Sequence, residues 1–281
     1  MLVTGATGTV GSAVLAALAA DGHEAVAGLR RPGDAGGLPA GTHAVAFDFT
    51  APGTWGPALE GCDGLFLLRP PAIADAKRYV NPVVDAAHAA GVRHVAFLSV
   101  LGAEKNPLLP HRATERHLQA TPGGYTLLRA ANFMQNFATQ HAEEIRRGEL
   151  FVPAGRGRTG YVDARDVGGV AARALAAAGG ERRALALTGP EAITHDRVAA
   201  VLSDVLGRPV RYARPGALRF ALRRLRDGTP APLVAVMTAL YTATRLGLAA
   251  RVTDEVERAL GRPATPFRRF AEDYRNVWAR P

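Results

Sequence analysis

Eight residues near the start of the chain, Thr4-Gly5-Ala6-Thr7-Gly8-Thr9-Val10-Gly11, leave few folds open to it. A short apolar run, Leu2-Val3, leads into them. An Ala/Leu/Val run with helical spacing (Val10, Val14, Leu18) leaves them and closes at Asp21-Gly22. A second apolar run from Glu24 to Leu29 follows and ends on Arg30 and Arg31. Strand, glycine-rich turn, helix and strand in that order make the βαβ unit that binds a dinucleotide. Gly5 permits the sharp turn, Gly8 lets backbone approach a pyrophosphate, and Gly11 lets the helix lie close to the sheet. Unpaired N–H groups of Thr7 to Gly11 and the positive end of the helix dipole would then face the phosphates. An isolated glycine repeat is weak evidence, and the elements on both sides of this one give it weight.

The end of the second strand separates two cofactors. A site for NAD places a carboxylate there for the ribose 2′-hydroxyl, whereas a site for NADP places arginine near the 2′-phosphate. Here Arg30 and Arg31 stand at that point and no acid appears before Asp34. The expectation is NADP(H), against the plainer reading of two solvated arginines.

Further strands are expected over 44–49, ending in Asp48-Phe49, over 64–68, over 92–100 and over 125–129, with helices over 75–90 and 111–120 and from 132 to 147. Asp48 and Phe49 could flank the adenine, or Asp48 could cap the next turn. Leu68, Arg69 and Pro70 end the fourth strand at the carboxyl edge, where ligands of open α/β sheets bind. Strand–helix alternation calls for a doubly wound parallel sheet. Beyond 148 the pattern loosens: short strands at 159–162 and 184–187, a helix 167–178 capped by Asp166, and another from Thr194 to Leu206 stopped by Gly207. From Ala217 onward the chain reads as helical. The uncharged stretch 228–244 is too short and too polar to span a bilayer, so a buried helix over the substrate is expected.

At 281 residues, residues 1–150 are read as the cofactor-binding core and 151–281 as the remaining sheet elements with a helical cap, in one integrated unit. The single cysteine, Cys62, excludes an internal disulfide, and Met1 leads directly into the first strand; both point to the cytoplasm. The net charge of +9 comes from scattered arginines without interleaved aromatics, which does not describe a nucleic-acid surface. No metal-ligand spacing is visible among the eight histidines, and no membrane segment is expected.

Taken together, TGATGTVG, the RR after the second strand, FLLRPP, AAHAAGVRHVAFLSVLGAE, TERHLQATPGGYTLLRAANFMQNF, YVDARDVGGVAARAL and ITHDRVAAVLSDVLGRPVRY resemble the NmrA-like, atypical branch of the short-chain dehydrogenase/reductases. The resemblance implies a Rossmann domain for NADP(H) with a small, mostly helical C-terminal substrate-capping region. It also implies a small-molecule substrate, and it leaves the oligomeric state open, a homodimer included. Members include quinone reductases, other NADPH-dependent reductases and redox sensors without turnover. The chain departs from the wider superfamily at the catalytic positions: Ser99 matches the serine, but His111 and Glu115 occupy the places of the Tyr-x-x-x-Lys pair.

His111 and Glu115 share a helix face, and a carboxylate beside the ring would favour the imidazolium, a proton donor near neutral pH. The alternative is a solvated pair or a substrate-positioning role. Pro71, Leu101, His111, Glu115, Asn132, Phe133 and Met134 are the expected substrate-pocket residues, the last three with a core role as the alternative. The expected activity is NADPH-dependent hydride transfer to a quinone or other conjugated or aromatic carbonyl. A non-catalytic NADP(H)-sensing regulator and a non-redox dehydratase or cyclase stand as alternatives.

Overall fold

The computed structural model describes residues 1–177 and 180–279; the expected helix end at Ala178 lies outside them. The chain divides into two compact units that interleave in sequence. The first comprises Met1–Ala130, Ala164–Leu187 and Glu255–Arg262, and the second Ala131–Asp163, Thr188–Asp254 and Pro263–Pro281. The division thus hands residues 131–150 to the second unit and returns two later segments to the first, where the sequence reading drew its line at 150.

The first unit is built on seven parallel strands: β1 (Leu2–Thr4), β2 (Ala25–Leu29), β3 (Thr42–Ala46), β4 (Gly64–Leu68), β5 (His94–Val100), β6 (Gly124–Ala130) and β7 (Arg182–Leu187). Their spatial order, β3-β2-β1-β4-β5-β6-β7, reverses direction between β1 and β4. That is the doubly wound Rossmann order, and the reversal is where such sheets bind ligands. β4 is buried over Gly64–Leu67 and β5 over His94–Ser99, as strands covered on both faces must be.

Helix α1 (Thr9–Ala20) buries Val10, Val14, Leu15 and Leu18. It lies against a later helix, α4 (Ala164–Ala176), at very short range: a Cβ on Gly168 would stand 2.6 Å from the Ala13 carbonyl carbon. The expected helix over 75–90 is broken in two, Ala76–Tyr79 and α2 (Asn81–Ala89), because Pro82 has no N–H to continue the ladder and starts a new helix instead. α3 (Pro110–Ala120) begins on Pro110 for the same reason. The third strand stops at Ala46, short of Asp48 and Phe49.

The helix expected from 132 to 147 does not form. It is replaced by a 3-10 turn, Met134–Phe137, and a short helix, Ala142–Arg146. The backbone before it is committed elsewhere: Phe133 bridges to Val162, Val162 N–H donates to Asn132 and Met134 N–H donates to Val162. Asp166 sits inside the first turn of α4 and not at its cap, fully buried and ion-paired with Arg262 at 2.8 Å. Helix α5 (His195–Leu206) starts and stops as expected: Thr194 accepts a hydrogen bond from Arg197 N–H, and Gly207 takes the left-handed conformation, φ 65°.

The second unit has a core of Met134, Phe137, Ile145, Val198, Leu202, Phe267, Phe270 and Trp278 among others. Helices α6 (Ala217–Arg226) and α7 (Ala231–Arg245) complete it. The stretch 228–244 was expected as a buried helix and is not one. In α7 only Val234, Met237 and Thr244 are buried, while Leu233, Val236 and Leu240 are each at least half exposed. Alanine and threonine on the other turns give this helix no wide apolar stripe to bury. Among the described residues no helix is long and apolar enough to cross a membrane.

Candidate active site

In the first unit the glycine turn has the shape that a dinucleotide needs. Gly5 takes φ +61°, and a Cβ there would fall 2.1 Å from Leu68 Cδ2, so β1 and the end of β4 close over a residue without a side chain. A Cβ on Gly11 would stand 2.1 Å from the Gly5 carbonyl oxygen, which makes glycine obligatory for α1 to reach the turn. Gly8 N–H donates to Gly5 at 2.9 Å, and its own side-chain position meets only that carbonyl, at 3.2 Å. Thr7, Gly8 and Thr9 are exposed, whereas Val10 and Gly11 are buried against the sheet. No side chain caps α1 and its first turn holds no acid. Its first N–H groups and positive dipole end therefore stay free for an anion, and these residues fit a pyrophosphate.

Arg30 and Arg31 are exposed at the end of β2, and neither makes a salt bridge or side-chain hydrogen bond among the described residues. Two unengaged cations are what a ribose 2′-phosphate requires there. Asp48 turns back on its own loop: its carboxylate accepts from both the N–H and the hydroxyl of Thr50, each at 2.7 Å. Those two bonds, with a smaller effect of the Arg30 charge, hold Asp48 below the usual carboxylate range. The ring of Phe49 is buried edge-on against Phe47, centroids 5.0 Å apart, so it is a core ring and not an open face for a base.

After β4, Arg69 folds onto its own loop and donates to the carbonyls of Pro70, Pro71 and Ile73. Pro71 is exposed, and Leu101 is half-buried with its N–H bonded to Ala130.

Ser99, Glu115 and His111 are arranged differently from the sequence expectation. Glu115 is fully buried and closed in by four bonds. Ser99 Oγ donates to it at 2.7 Å, Arg129 donates through Nε and Nη2 at 2.9 Å each, and Arg112 donates at 3.1 Å. Burial alone pushes the Glu115 carboxyl up, but the bonds from Arg129, Ser99 and Arg112 together hold it below its ordinary value. Glu115 is therefore a structural anion spent on two arginines, neither the partner of His111 nor one half of a solvated pair. Arg129 and Arg112 were not singled out from sequence, because nothing in their spacing marks a cage assembled from β6, β5 and α3.

His111 sits in the first turn of α3, half-buried beside Phe97, with Nδ1 buried and without a hydrogen-bond partner. Burial, and then the charge of Arg69, push its pKa down to about 4, and the opposing pull of Glu115 is smaller. The imidazolium expected at neutral pH is thus corrected to a neutral ring. A neutral imidazole keeps one N–H, and near a helix N-terminus it can donate a hydrogen bond without carrying charge. Ser99, already donating to Glu115, offers a substrate only its lone pairs.

In the second unit Met134 is a core residue, while Asn132 and Phe133 are half-buried. A buried polar network lies behind them. His141 bonds Glu144 at 3.1 Å and the Tyr241 hydroxyl at 2.8 Å, Arg224 pairs with Glu144 at 2.9 Å, and the Tyr161 hydroxyl meets His195 at 2.9 Å. Burial pushes His195 down to about 3. Among the described residues no group of three or more metal-ligating side chains occurs.

The NAD(P)H-binding family model matches residues 5–178. The chain is 34% identical over 278 residues to the NAD(P)H azoreductase of Xenophilus azovorans, covering 97% of this chain and 96% of the relative. It is also 34% identical over 285 residues to the (4-alkanoyl-5-oxo-2,5-dihydrofuran-3-yl)methyl phosphate reductase of Streptomyces griseus, with 99% of each covered. The crystal structure of the NADPH-dependent quinone oxidoreductase QOR2 from Escherichia coli, complexed with NADPH, superposes with a TM-score of 0.87 at 27% identity, covering 99% of each chain. The free helix end, the obligatory glycines and these likenesses agree, and the chain belongs to the NAD(P)H-binding family, with the NmrA-like Rossmann fold.

Proposed function

We propose that the protein is an NADPH-dependent reductase of small conjugated acceptors: quinones, conjugated carbonyls or dyes. The observation that carries the reading is the turn at Gly5–Gly11, with an uncapped, acid-free helix start and two unengaged arginines at the end of β2. The relatives act in the same sense, by name on an azo group, an oxo-dihydrofuran and a quinone.

When bound, NADPH supplies a hydride, and the chain's own residues do the remainder. The first-turn amides of α1 hold the pyrophosphate, and Arg30 and Arg31 hold the 2′-phosphate. His111 donates one neutral N–H to an acceptor oxygen, which favours electron gain there without a full positive charge. An electron-poor acceptor yields a stabilised anion, so the missing Tyr and Lys cost less than they would with an isolated ketone. Alignment of donor and acceptor then supplies most of the rate. The substrate is a small molecule and not a nucleic acid, and the working compartment is the reducing cytoplasm, where Cys62 stays a buried free thiol.

The test is NADPH absorbance followed over a panel of benzoquinones, naphthoquinones, azo dyes and conjugated lactones. Multiple turnovers that need the protein are expected. Tight NADPH binding with no consumption across the panel would instead favour a sensor.

A further inference from the structure

Helices α6 and α7 of the second unit enclose a groove of about 690 Å³ whose lining is almost wholly apolar. Its floor is a stripe of small residues on α7, Ala231, Ala235, Ala239 and Thr242, at the i, i+4 and i, i+3 spacings of one helix face. The two threonines that border it offer no free hydroxyl. Thr238 donates to Val234 and Thr242 to Thr238, each at 2.8 Å, back along the helix. At the end of α7 the groove passes Leu246 and Leu248, which are 70% and 74% exposed. Leucines so open to water at the mouth of a groove mark a place where something apolar binds.

Leu246 also belongs to a second hollow of about 730 Å³, lined by Gly155-Arg156-Gly157-Arg158, Arg245 and Gly247. The three arginines there are exposed, and none has a salt bridge or side-chain hydrogen bond among the described residues. Their surroundings are built for close approach. A Cβ on Gly155 would meet the Arg245 stem at 3.3 Å, and one on Gly157 would stand 2.1 Å from the Thr244 carbonyl oxygen. By contrast Arg223 and Arg224 of α6 are spent on Glu149 and Glu144. Among the arginines that line the two hollows, those without a partner among the described residues are thus Arg156, Arg158 and Arg245, at one end of the groove.

We infer that the second unit binds a single-chain amphiphile, its alkyl or acyl chain in the α6–α7 groove and its anionic head, a phosphate, sulfonate or carboxylate, on Arg156, Arg158 and Arg245. Charge complementarity selects the head, and the shared Leu246 makes the two hollows one continuous site. A groove of this size lies within the range of roughly 300–1,000 Å³ that small-molecule sites occupy. A monomeric ligand fits it better than a bilayer does, because on α6 Arg223 and Arg224 are spent on glutamates and Arg219 lies over the Phe151 ring, which leaves few of its cations for a lipid surface. On the reading of the protein as a reductase, which this rests on, such amphiphiles are its substrate class; the binding site itself needs no turnover.

The test measures binding of alkyl phosphates, C6 to C12 and below their micelle concentrations, by calorimetry on the full-length protein without cofactor. Affinity is expected to rise up to about fourfold per added methylene. The combined Arg156→Ala, Arg158→Ala, Arg245→Ala variant should bind dodecyl phosphate roughly tenfold or more weakly. Ala235→Phe with Ala239→Phe should remove the chain-length dependence; all five positions are exposed, so these variants fold. Inorganic phosphate binding as tightly as dodecyl phosphate would overturn the proposal, as would binding to anionic vesicles without binding of the monomer. Failure of the reductase reading looks different: dodecyl phosphate binds, but no acceptor consumes NADPH.

Discussion

Each unit of this protein buries a glutamate, and the two surround it differently. Glu115 in the first unit is sealed by Arg129, Arg112 and Ser99, with no solvent exposure. Glu144 in the second has His141 and Arg224 and keeps a small exposed area. The first cage ties β5, β6 and α3 together at the carboxyl edge of the sheet. The second holds α6, through Arg224, and α7, through Tyr241 on His141, to the segment around the short helix Ala142–Arg146. One cage links two neighbouring strands of the parallel sheet to a helix. The other tethers a pair of helices that leave leucines and valines in water. What the halves offer a ligand differs in the same way: backbone amides and two arginines in the first, apolar side chains and three arginines in the second.

Breaking the cages should separate them most clearly. Glu115→Ala leaves Arg112 without its carboxylate and Arg129 with only Glu104, at 3.5 Å, and is expected to destabilise the protein by about 3–5 kcal/mol. Glu144→Ala, with one arginine and more water, should cost about 1–2 kcal/mol. Denaturant unfolding of the two variants checks the order, and equal losses would erase the distinction between the cages.

Next in size is Gly11→Ala, which puts a methyl carbon where only 2.1 Å separates it from the Gly5 carbonyl. A loss of about 1–3 kcal/mol in stability is expected, together with NADPH affinity. Retained affinity in a folded variant would mean that the turn does not hold the pyrophosphate.

His111→Ala should lower kcat by about ten- to a hundredfold, while His111→Gln, which keeps a neutral donor, recovers part of it. Because burial holds His111 near 4, the kcat profile should be flat through pH 6 to 8. An inflection near 6.5 that vanishes in His111→Gln would restore the charged-acid reading.

A separate effect is on stability against pH. His111 and His195, at about 4 and about 3, take up protons near 6.5 once unfolded. Between those values the unfolded chain binds more protons, so stability is full above 6.5 and falls as pH drops toward 3. Thermal midpoints at pH 7.5, 6 and 5 follow it. Substituting His111 should flatten one part of the slope and leave the part due to His195.

These halves were also unequally legible in the sequence. Gly5, Gly8 and Gly11 announced their turn because each answers a local steric demand, and the parallel sheet followed from alternation. The charge on His111 was misjudged, because it is decided by burial and by Arg69 and not by its helical neighbour Glu115. Glu115 itself reads in the sequence as a pocket residue beside His111 or as half of a solvated pair, since its two arginines arrive from β6 and from the turn before it on α3. In the second unit the backbone after Asn132 bonds to Val162, thirty residues on, so a run that reads as helix is drawn into a bridge. The arginines at 156, 158 and 245 were invisible among many others. Only the hollow that they share, and the want of an ion pair among the described residues, singles them out.

In the proposed reading, backbone amides and Arg30 and Arg31, which make no salt bridge among the described residues, form the NADPH site of the first unit. The most direct test of that reading is the NADPH-to-NADH ratio of dissociation constants for the native protein and for Arg30→Ala with Arg31→Ala. The account predicts a strong preference for NADPH in the native protein that collapses in the variant through weaker NADPH binding, with NADH affinity unchanged. Equal loss for both cofactors, or no preference at the start, would contradict it.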